Sequence, residues 1–433
     1  MRCLLILICF ANFIMVSAQV NWSWQPLAPL PMPTANNAVC SAVVNSDQRV
    51  YSFGGITTGL ELQNIHREAY MYSSASGNWT VLPQIPDTSG KIASAASVVD
   101  GVAYVVGGYH VFPTSPFERS SDRVHRLDLN TNSWLTDGAT IPIPIDDHVQ
   151  AVWRDSLIFV ITGWSQNTNV PAVQIYDPAL DLWSVGTPVP NNNSYKAFGA
   201  SGTIIGDTIF YYGGASSSGS FGAQDDLRIG VIDPTEPTQI TWLPAVATLR
   251  NSYRSGCGSY NGRPFWLGGS AISYNYDAVA YNGSGIVSPV AEVGVLNYSG
   301  TLVASPTDQA VMDIRGIGQT TNGSFHICGG IGSGALVLDT HWLIQPVLGL
   351  SEQVASRLQL YPNPSTGIIH FSTSLTVTDQ VISVIDALGR KLRTEPYLGN
   401  PGSMDLSDLA PGQYLMELSS RTSVTRVRFW LVN

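Results

Sequence analysis

Six times along this chain, a short apolar run ends in a glycine pair or in a Gly-Trp dipeptide. The runs read VYSFGG, AYVVGG, IFVITGW, IFYYGG, PFWLGG and FHICGG, and their marks begin at Gly54, Gly107, Gly163, Gly213, Gly268 and Gly329. Successive marks are therefore 53, 56, 50, 55 and 61 residues apart. A period of about 50 residues is typical of repeat architectures, in which each repeat is one supersecondary unit that packs on its neighbours. The chain is expected to fold as an array of six such units.

A second mark follows the glycines in four of the six units. There an apolar strand ends in an acid or amide and is followed by a tryptophan, at Trp79, Trp134, Trp183 and Trp242. A glycine pair after a buried strand permits positive φ and close approach of a neighbouring strand, and a tryptophan ring can fill the gap between adjacent units. Both marks therefore indicate packing, not catalytic chemistry.

These paired marks resemble the kelch-repeat family. The resemblance covers about residues 20 to 347 and implies a six-bladed kelch-type β-propeller of four-stranded blades, so an all-β chain is expected. The segment WSWQPLAPLPMP has the character of an outermost strand, whereas residues 301–345 lack one. A strand around Trp22 and Trp24 is therefore expected to complete the sixth blade and close the ring, which leaves no free sheet edge between the first and last blades.

The first 18 residues predict a secretory signal peptide. One arginine precedes a mostly apolar stretch from Leu4 to Val16, and the small residues that follow predict cleavage after Ala18. No later stretch is apolar for long enough to cross a membrane, so no transmembrane segment is expected.

Composition limits the classes of partner. Charged residues make up only 12% of the chain, its formal net charge is −10, and no tract rich in Lys or Arg occurs. A nucleic-acid partner is therefore not expected, and the acidity is interpreted as a contribution to solubility.

Neither a CxxC pair nor zinc-type spacing is present, so neither metal nor cofactor is expected. Three cysteines follow the signal peptide and lie in or beside strand runs, which favours buried free thiols over one disulfide; they are Cys40, Cys257 and Cys328.

The C-terminal part lacks the glycine pairs, and its alternating strands are divided by Pro and Gly turns, as in a small β-sandwich. It carries the motifs YPNP, DALGR and LAPGQY, and it resembles the C-terminal sorting domain of the type IX secretion system of Bacteroidetes. The motif residues are Tyr361, Pro362, Asn363, Pro364, Gly367, Asp386, Gly389, Pro411, Gly412 and Tyr414. The resemblance implies the type IX secretion machinery as a partner and passage through the periplasm to the outer-membrane cell surface or the extracellular medium. An accessory adhesion sandwich is the alternative.

The predicted organisation has four parts: a signal peptide at 1–18, a six-bladed propeller at 19–347, a linker at 348–355 and a sorting domain at 356–433. Disulfide state, cleavage of the sorting domain and attachment of the mature protein to the cell stay open at this point.

Ionisable and amide residues recur shortly before the first strand of each unit. An arginine can hold a carboxylate through two parallel hydrogen bonds, and a lysine can act as a point charge, so these residues predict a polar mouth for a glycan or protein ligand. The alternative is that the same charges pair with one another and with backbone groups in a wet channel. The candidate ligand-binding residues are Asn37, Lys91, Asp147, His148, Lys196, Arg250, Arg254 and Asp308.

These features favour a binding module over an enzyme. No GxSxG elbow occurs, the seven histidines are scattered, and no set of Tyr and His ligands like that of kelch-type copper oxidases can be placed. The alternative is a sugar mutarotase or epimerase of the kelch sialic acid mutarotase type. In such an enzyme Asp147 and His148 would serve as acid and base, and Arg254 as a clamp.

Overall fold

A computed structural model of the chain describes residues 20–217, 221–276, 281–282, 287–297, 300–347, 358–363, 365–372, 381–386, 389–397, 402–420 and 424–432. The chain divides into two compact units, 1–347 and 348–433. Strands form nearly all regular structure in these ranges, and the helical elements are two short 3-10 turns, Leu62–Asn64 and Ser333–Ala335. The predicted signal peptide and linker lie outside the described residues.

The N-terminal unit begins with strand β1 (Asn21–Pro26) and continues as six antiparallel sheets, here called blades 1 to 6. Blade 1 contains β2 (Ala38–Val44), β3 (Asp47–Ile56), β4 (Ile65–Ser73) and β5 (Asn78–Leu82). Blade 2 contains β6 (Ile92–Val99), β7 (Val102–Val111), β8 (Glu118–Ser120), β9 (Val124–Asp128) and β10 (Ser133–Trp134). Blade 3 contains β11 (Val149–Trp153), β12 (Leu157–Ile161), the small hairpin β13 (Trp164–Ser165) and β14 (Thr168–Asn169), β15 (Val173–Asp177) and β16 (Leu182–Gly186).

Blade 4 contains β17 (Phe198–Ile205), β18 (Thr208–Ala215), β19 (Gln224–Ile232), β20 (Ile240–Trp242) and β21 (Val246–Ser252). Blade 5 contains β22 (Gly256–Tyr260), β23 (Arg263–Leu267), the hairpin β24 (Asn275–Tyr276) and β25 (Tyr281–Asn282), β26 (Glu292–Leu296) and β27 (Leu302–Pro306). Blade 6 contains β28 (Gly318–Gln319), β29 (Phe325–Cys328) and β30 (His341–Val347). The first strands of the blades, β2, β6, β11, β17, β22 and β28, line a common axis and are the inner strands. The predicted six-bladed propeller is confirmed.

Strand β1 completes blade 6. It pairs antiparallel with β30, from Asn21 opposite Val347 to Pro26 opposite Trp342. The Trp22 ring is buried between blades, with ring centroids 5.3 Å from Tyr260 and 5.2 Å from Phe325. The ring closure predicted from the sequence is therefore present, and the N-terminal strand is the outermost strand of the last blade.

The glycine pairs join neighbouring blades. In blade 6 the Gly330 N–H donates to the Thr34 carbonyl at 2.8 Å, and a Cβ added at Gly329 would lie only 2.1 Å from that oxygen. Gly107 meets the Ile145 carbonyl in the same way, at 2.3 Å from its added Cβ. Positive φ at both positions of each pair brings the backbone to this contact without a side chain in the way.

Blade 3 differs from the predicted Gly-Trp pairing. The residues with positive φ are Thr162 (46°) and Gly163 (121°), one position earlier than the dipeptide Gly163-Trp164. The Thr162 hydroxyl accepts the N–H of Ala197 at 3.0 Å, which ties blade 3 to the segment that leads into blade 4. A threonine therefore replaces the first glycine because its hydroxyl supplies the contact between blades.

The blade tryptophans also act between blades. Each indole N–H donates to a carbonyl of the segment that leads into its own blade. The pairs are Trp79 with Ala28 (2.8 Å), Trp134 with Pro83 (2.7 Å), Trp183 with Ala139 (2.8 Å) and Trp242 with Thr187 (3.1 Å). The predicted packing role of these four residues is confirmed. Blade 5 lacks this tryptophan, and Tyr298, which stands near the equivalent place in the sequence, lies outside the described residues.

Replacement of Gly329 by alanine tests the packing role of the glycine pairs. Gly329→Ala is expected to lower the free energy of unfolding by about 3 kcal/mol, because a left-handed non-glycine residue costs about 1–2 kcal/mol and forced overpacking about 1–3 kcal/mol. Gly77→Ala is the matched control, since Gly77 also has positive φ (69°) but an added Cβ meets nothing within 4 Å. Urea unfolding measures both variants, and equal losses would show that the contact with Thr34 is unimportant.

The C-terminal unit is the predicted β-sandwich. One sheet has the order β31 (Gln359–Tyr361), β32 (Ile368–Ser372), β35 (Gly402–Asp405), and the other β34 (Lys391–Pro396), β33 (Val381–Ile385), β36 (Gly412–Ser419), β37 (Val424–Leu431). Inward-facing apolar residues of both sheets, such as Phe371 and Met416, form one buried core. The unit therefore has its own hydrophobic core.

Two further expectations concern membranes and thiols. Over the residues with described positions, no helix has the length and apolar character needed to cross a bilayer. Cys40, Cys257 and Cys328 are all free thiols, and Cys40 and Cys328 are buried as predicted, whereas Cys257 is partly buried.

Candidate functional site

Near the start of every inner strand, one residue adopts the left-handed backbone conformation, and these six residues form the axial ring. They are Asn36 (φ 56°), Ala93 (60°), Asp147 (46°), Gly199 (67°), Arg254 (47°) and Asp313 (61°). Backbone hydrogen bonds of 2.8–3.1 Å link five of the six junctions, for example from Gly199 N–H to the Asp147 carbonyl. At the sixth, the Asn36 side-chain oxygen accepts the N–H of Ala93. The ring thus joins all six blades around the axis.

An ionic cluster lies within the axial ring. Arg254 donates through Nε (3.1 Å) and Nη2 (2.5 Å) to the Asp147 carboxylate, and through Nη1 (3.0 Å) to Asp313. Arg315 lies 3.5 Å from Asp147 and donates to the His148 carbonyl at 2.8 Å. All these side chains are buried. Two arginines therefore neutralise two aspartates, as in the alternative that pairs the predicted charges with one another.

Two additional donors reach one of the two carboxylate oxygens of Asp313. This Oδ1 accepts from Asn36 Nδ2 at 2.8 Å and from the Tyr274 hydroxyl at 3.1 Å. With Arg254, three donors from blades 1 and 5 converge on this oxygen, which fixes its position. Charge-assisted hydrogen bonds of this kind are stronger than those between neutral groups.

The His148 side chain is neutral. Burial, assisted by the positive charge of Arg315, lowers the pKa of His148 to about 3. Its Nε2 lies 3.1 Å from Gln150 Oε1, while Gln150 Nε2 donates to Ser97. This network assigns the proton to Nε2, so Nδ1 is an acceptor, and the structure gives Nδ1 no hydrogen-bond partner.

Lys91 belongs to a different cluster. Its ammonium group is buried and lies 3.2 Å from the Asp87 carboxylate, which is also 3.0 Å from His125 Nε2. Burial lowers the pKa of Lys91, and the charge of Asp87 opposes this effect. Burial would raise the pKa of Asp87, but the His125 hydrogen bond and the Lys91 charge together hold it below its usual range. Lys91 therefore contributes to internal packing away from the axis.

The other four candidates do not join the ionic cluster. The Asn37 side chain is buried and donates to Ser52 at 2.8 Å. Arg250 is half exposed and pairs with Glu292 on the next blade, and Asp308 is exposed. Lys196 is partly exposed, and its carbonyl accepts a hydrogen bond from Asn169 at 3.0 Å. Of the eight predicted residues, only Asp147, His148 and Arg254 come together at the axis.

Sequence reasoning missed two residues of the ionic cluster, Asp313 and Arg315. A sequence signal exists for Asp313, because Asn and Asp tolerate the left-handed conformation better than most residues. Arg315 follows Asp313 by two positions, and its role could be assigned only once Asp147 was placed opposite it.

An apolar cap covers the ring on the side of the loops that follow the glycine pairs, here called the loop face. In the cap, the residue before a ring residue pairs with the residue after the glycine pair of the same blade. Examples are Ala35 with Ile56 and Met312 with Ile331. Asp146 holds the equivalent place in blade 3, where Ser120 donates to its carboxylate at 2.5 Å. Burial, together with the charge of Asp147, raises the pKa of Asp146 well above its usual value. The cap separates the ionic cluster from solvent on the loop face.

Large apolar side chains nevertheless protrude around this cap, four from loops and Leu249 from β21, and they are here called the apolar rim. They are Phe117 (52% exposed), Phe221 (44%), Leu249 (89%), Ile272 (55%) and Leu336 (60%). Loops of neighbouring blades touch, since the Ser273 hydroxyl donates to the Phe221 carbonyl and the Trp164 and Phe221 rings lie 6.0 Å apart. Exposed apolar residues gathered on one face are typical of an interaction surface.

A cavity of about 410 Å³ occupies the axis on the other side of the ring, and it is here called the axial well. All six inner strands contribute to its wall, including Ser97, Ser201 and Gln319. Its inner end is formed by buried residues, among them His148 and Arg315, and its outer end by exposed ones such as Gln319. The well therefore opens on the face opposite the loop face.

In the C-terminal unit, the motif that begins at Tyr361 lies along the outer edge of the last strand. Asn363 donates through Nδ2 to the Arg428 carbonyl (3.1 Å) and accepts the Trp430 N–H (3.0 Å), as a strand backbone would. The Ser365 backbone extends this pairing to Trp430 at 2.8 Å. The motif thus covers part of an edge that otherwise has unpaired backbone groups.

The remaining motif residues form turns and ring contacts. Gly367 has φ of 149°, and an added Cβ would lie 2.3 Å from Ser407 Oγ. The Tyr414 ring packs 5.7 Å from Phe429. The other placements are as follows: Tyr361 stacks on His370, Pro362 is exposed, Asp386 accepts from Arg390, Gly389 donates to the Asp386 carbonyl, Pro411 is exposed, Gly412 pairs with Leu431, and Pro364 lies outside the described residues.

Two family descriptions match parts of the chain. Residues 11–218 match the KLHDC2/KLHL20/DRC7 Kelch-repeats domain, and residues 359–432 match the Secretion system C-terminal sorting domain. Kelch domain-containing protein 3 of Homo sapiens is 24% identical over 248 residues, which are 53% of this chain and 63% of that protein. Kelch-like protein terF of Aspergillus terreus is 28% identical over 209 residues, 47% of this chain and 43% of that protein. The chain thus spans less than two thirds of the length of these relatives.

Two solved structures share the fold. The one described as "Structure of YjhT" has a TM-score of 0.59 and 17% identity, and the match spans 74% of this chain and 99% of the solved chain. A fungal alcohol oxidase of the AA5 family, in complex with copper, has a TM-score of 0.53 and 14% identity, and covers 95% of this chain and 99% of that one. Within the part of our chain that is described, no group of three or more His, Cys, Asp or Glu residues is placed to hold a metal ion.

Proposed function

Because the chain combines a kelch-repeat propeller with a secretion-system sorting domain, which marks it for type IX export, we propose that the propeller is an extracellular binding module for a protein ligand. The ligand binds on the loop face, against the apolar rim. The observation that carries this proposal is the exposure of five large apolar side chains around one face.

The apolar rim has the features of a docking surface. Phe221 and Ile272 lie on touching loops of adjacent blades, and Leu336 follows the glycine pair of the next blade. Partly buried neighbours such as Trp164 pack against the cap beneath and support the rim. Burial of such side chains by a ligand is worth about 25 cal/mol per Å² of apolar surface, which supplies the driving force for association.

A protein ligand suits this surface better than a glycan. The charges that could orient a sugar carboxylate or its hydroxyl groups are committed, since Arg254 is buried and bonded to Asp147 and Asp313. The apolar cap separates this cluster from the loop face. The same burial gives no support to the enzymatic alternative, in which Asp147, His148 and Arg254 would meet a sugar.

Display selection tests the proposal. A peptide library and a glycan array are each presented to the purified full-length protein and to a variant with Phe221→Ser, Ile272→Ser and Leu336→Ser. Enriched peptides are expected to bind the wild type and to bind this variant at least tenfold more weakly, because the three substitutions remove apolar surface whose burial drives association.

The control replaces equally exposed apolar residues on outer strands, with Val81→Ser, Leu182→Ser and Val185→Ser. This variant is expected to bind the selected peptides like the wild type. Equal weakening in both variants, or a glycan ligand unaffected by the rim substitutions, would overturn the proposal.

A further inference from the structure

The axial well is a second site, separate from the loop face. Its volume of about 410 Å³ lies in the range of small-molecule sites, about 300–1,000 Å³. Its wall is built mainly from serine, glycine, alanine and amide side chains of the six inner strands. Small side chains leave the space open, and hydroxyl and amide groups keep it polar.

The inner end of the well combines a donor and an acceptor. Arg315 Nε and His148 Nδ1 are buried nitrogens without a hydrogen-bond partner in the part of the protein that is described. The two residues touch, because Arg315 Nη2 donates to the His148 carbonyl at 2.8 Å. A buried polar group that lacks a partner costs about 1–3 kcal/mol, so a molecule that supplies one is favoured there.

The charge around this end is balanced. Arg254 and Arg315 are matched by Asp147 and Asp313, with separations of 2.5–3.5 Å. No net charge therefore attracts an anion or a cation to the inner end. The preferred occupant is neutral.

A hydroxyl group meets both requirements, because it donates one hydrogen bond and accepts others. It would accept from Arg315 Nε and donate to His148 Nδ1 after a small movement of these two side chains, which line the well but keep both nitrogens covered. The wall offers further hydroxyls and amides, from Ser97, Ser201 and Gln319. We propose that the axial well binds one small neutral polyhydroxylated molecule, a monosaccharide or a polyol.

Ligand-observed NMR on the purified full-length protein tests this inference. The probes are glucose, galactose, mannose, myo-inositol and glycerol, with glucuronate and glucosamine as charged counterparts of similar size. At least one neutral probe is expected to show saturation transfer, with at least tenfold weaker binding of the charged counterparts.

Thr203→Trp places a large side chain in the well wall, and it is expected to weaken binding of the neutral probe at least tenfold. Thr241→Trp is the matched control on an outer strand, at an exposed position, and it is expected to bind like the wild type. If Thr203→Trp fails to fold, as judged by circular dichroism, Gln319→Trp at the exposed end of the well replaces it.

Three results would overturn the inference: no neutral probe binds, the charged probes bind as well, or binding survives the blocking substitution in a folded variant. The rim variant with Phe221→Ser, Ile272→Ser and Leu336→Ser is expected to keep this binding. Failure at the well is therefore distinguishable from failure at the loop face.

Discussion

Arg254→Met is expected to lower the free energy of unfolding of the propeller by about 3–5 kcal/mol. The substitution leaves two buried carboxylates, Asp147 and Asp313, after removal of the guanidinium that bonds to both. Arg315 remains 3.5 Å from Asp147, but among the described residues it forms no hydrogen bond or ion pair with Asp313 that could replace the lost one. An uncompensated charge in the interior is far more costly than the missing hydrogen bonds alone.

Arg250→Met is the matched control. Arg250 also pairs with a carboxylate, Glu292, but its side chain is 51% exposed and that of Glu292 38%. An exposed pair of this kind contributes about 0–1 kcal/mol. Urea unfolding of the two variants at one pH and salt concentration measures the difference. Equal losses of unfolding free energy would show that burial of the ionic cluster has no special energetic role.

A rescue variant separates charge from shape. Arg254→Met combined with Asp313→Asn removes the carboxylate that has lost its cation and leaves Asp147 paired with Arg315. Asn36 and Tyr274 can still donate to an amide oxygen at position 313. This double variant is expected to recover part of the lost stability, and a further loss instead would mean that the arginine acts mainly through its size.

The repeat pattern could be predicted because packing dictates it. Gly329 must be glycine, since a Cβ would meet the Thr34 carbonyl at 2.1 Å, and the same constraint recurs in other blades. Closure could be predicted for a similar reason, because the sixth blade lacked an outer strand and the segment with Trp22 and Trp24 had no other sheet to join. Constraints that act on every blade leave a periodic trace in the sequence.

The axial residues left no such trace. The distance from a ring residue to the following glycine pair varies, from Asn36 to Gly54 at one extreme and from Ala93 to Gly107 at another, because the inner hairpins differ in length. A search at similar offsets therefore finds Lys91 where the ring residue is Ala93. Partners of the side chains depend on contacts between distant blades, such as Arg254 with Asp147, and no spacing within one repeat encodes them.

In the sorting domain, motif residues could be recognised from sequence but not explained. Asn363 shows why, since its partners Arg428 and Trp430 lie at the other end of the domain. Its amide replaces a strand backbone along the edge of β37. In the structure, the motif therefore pairs with the last strand and covers part of its edge.

Removal of residues 356–433 is expected to abolish export, so that the propeller accumulates in the periplasm. The type IX machinery recognises a C-terminal sorting domain, and residues 359–432 are the part of this chain that matches one. The N-terminal unit has its own core and closed ring, so the shortened protein is expected to stay folded. Cell fractionation and immunoblotting of a strain with a type IX system measure the distribution, and appearance of the shortened protein in the medium would contradict the expectation.

A point variant tests whether the edge contact of β37 is part of the signal. Asn363→Asp keeps the acceptor for the Trp430 N–H but replaces the donor to the Arg428 carbonyl with a second oxygen, which repels it. Export is expected to fall at least fivefold, while the propeller stays folded because the substitution lies in the other unit. Glu395→Gln, an exposed change on β34, is the control and is expected to leave export unchanged. If Asn363→Asp is exported like this control, the arrangement of the last strand is not what the machinery reads.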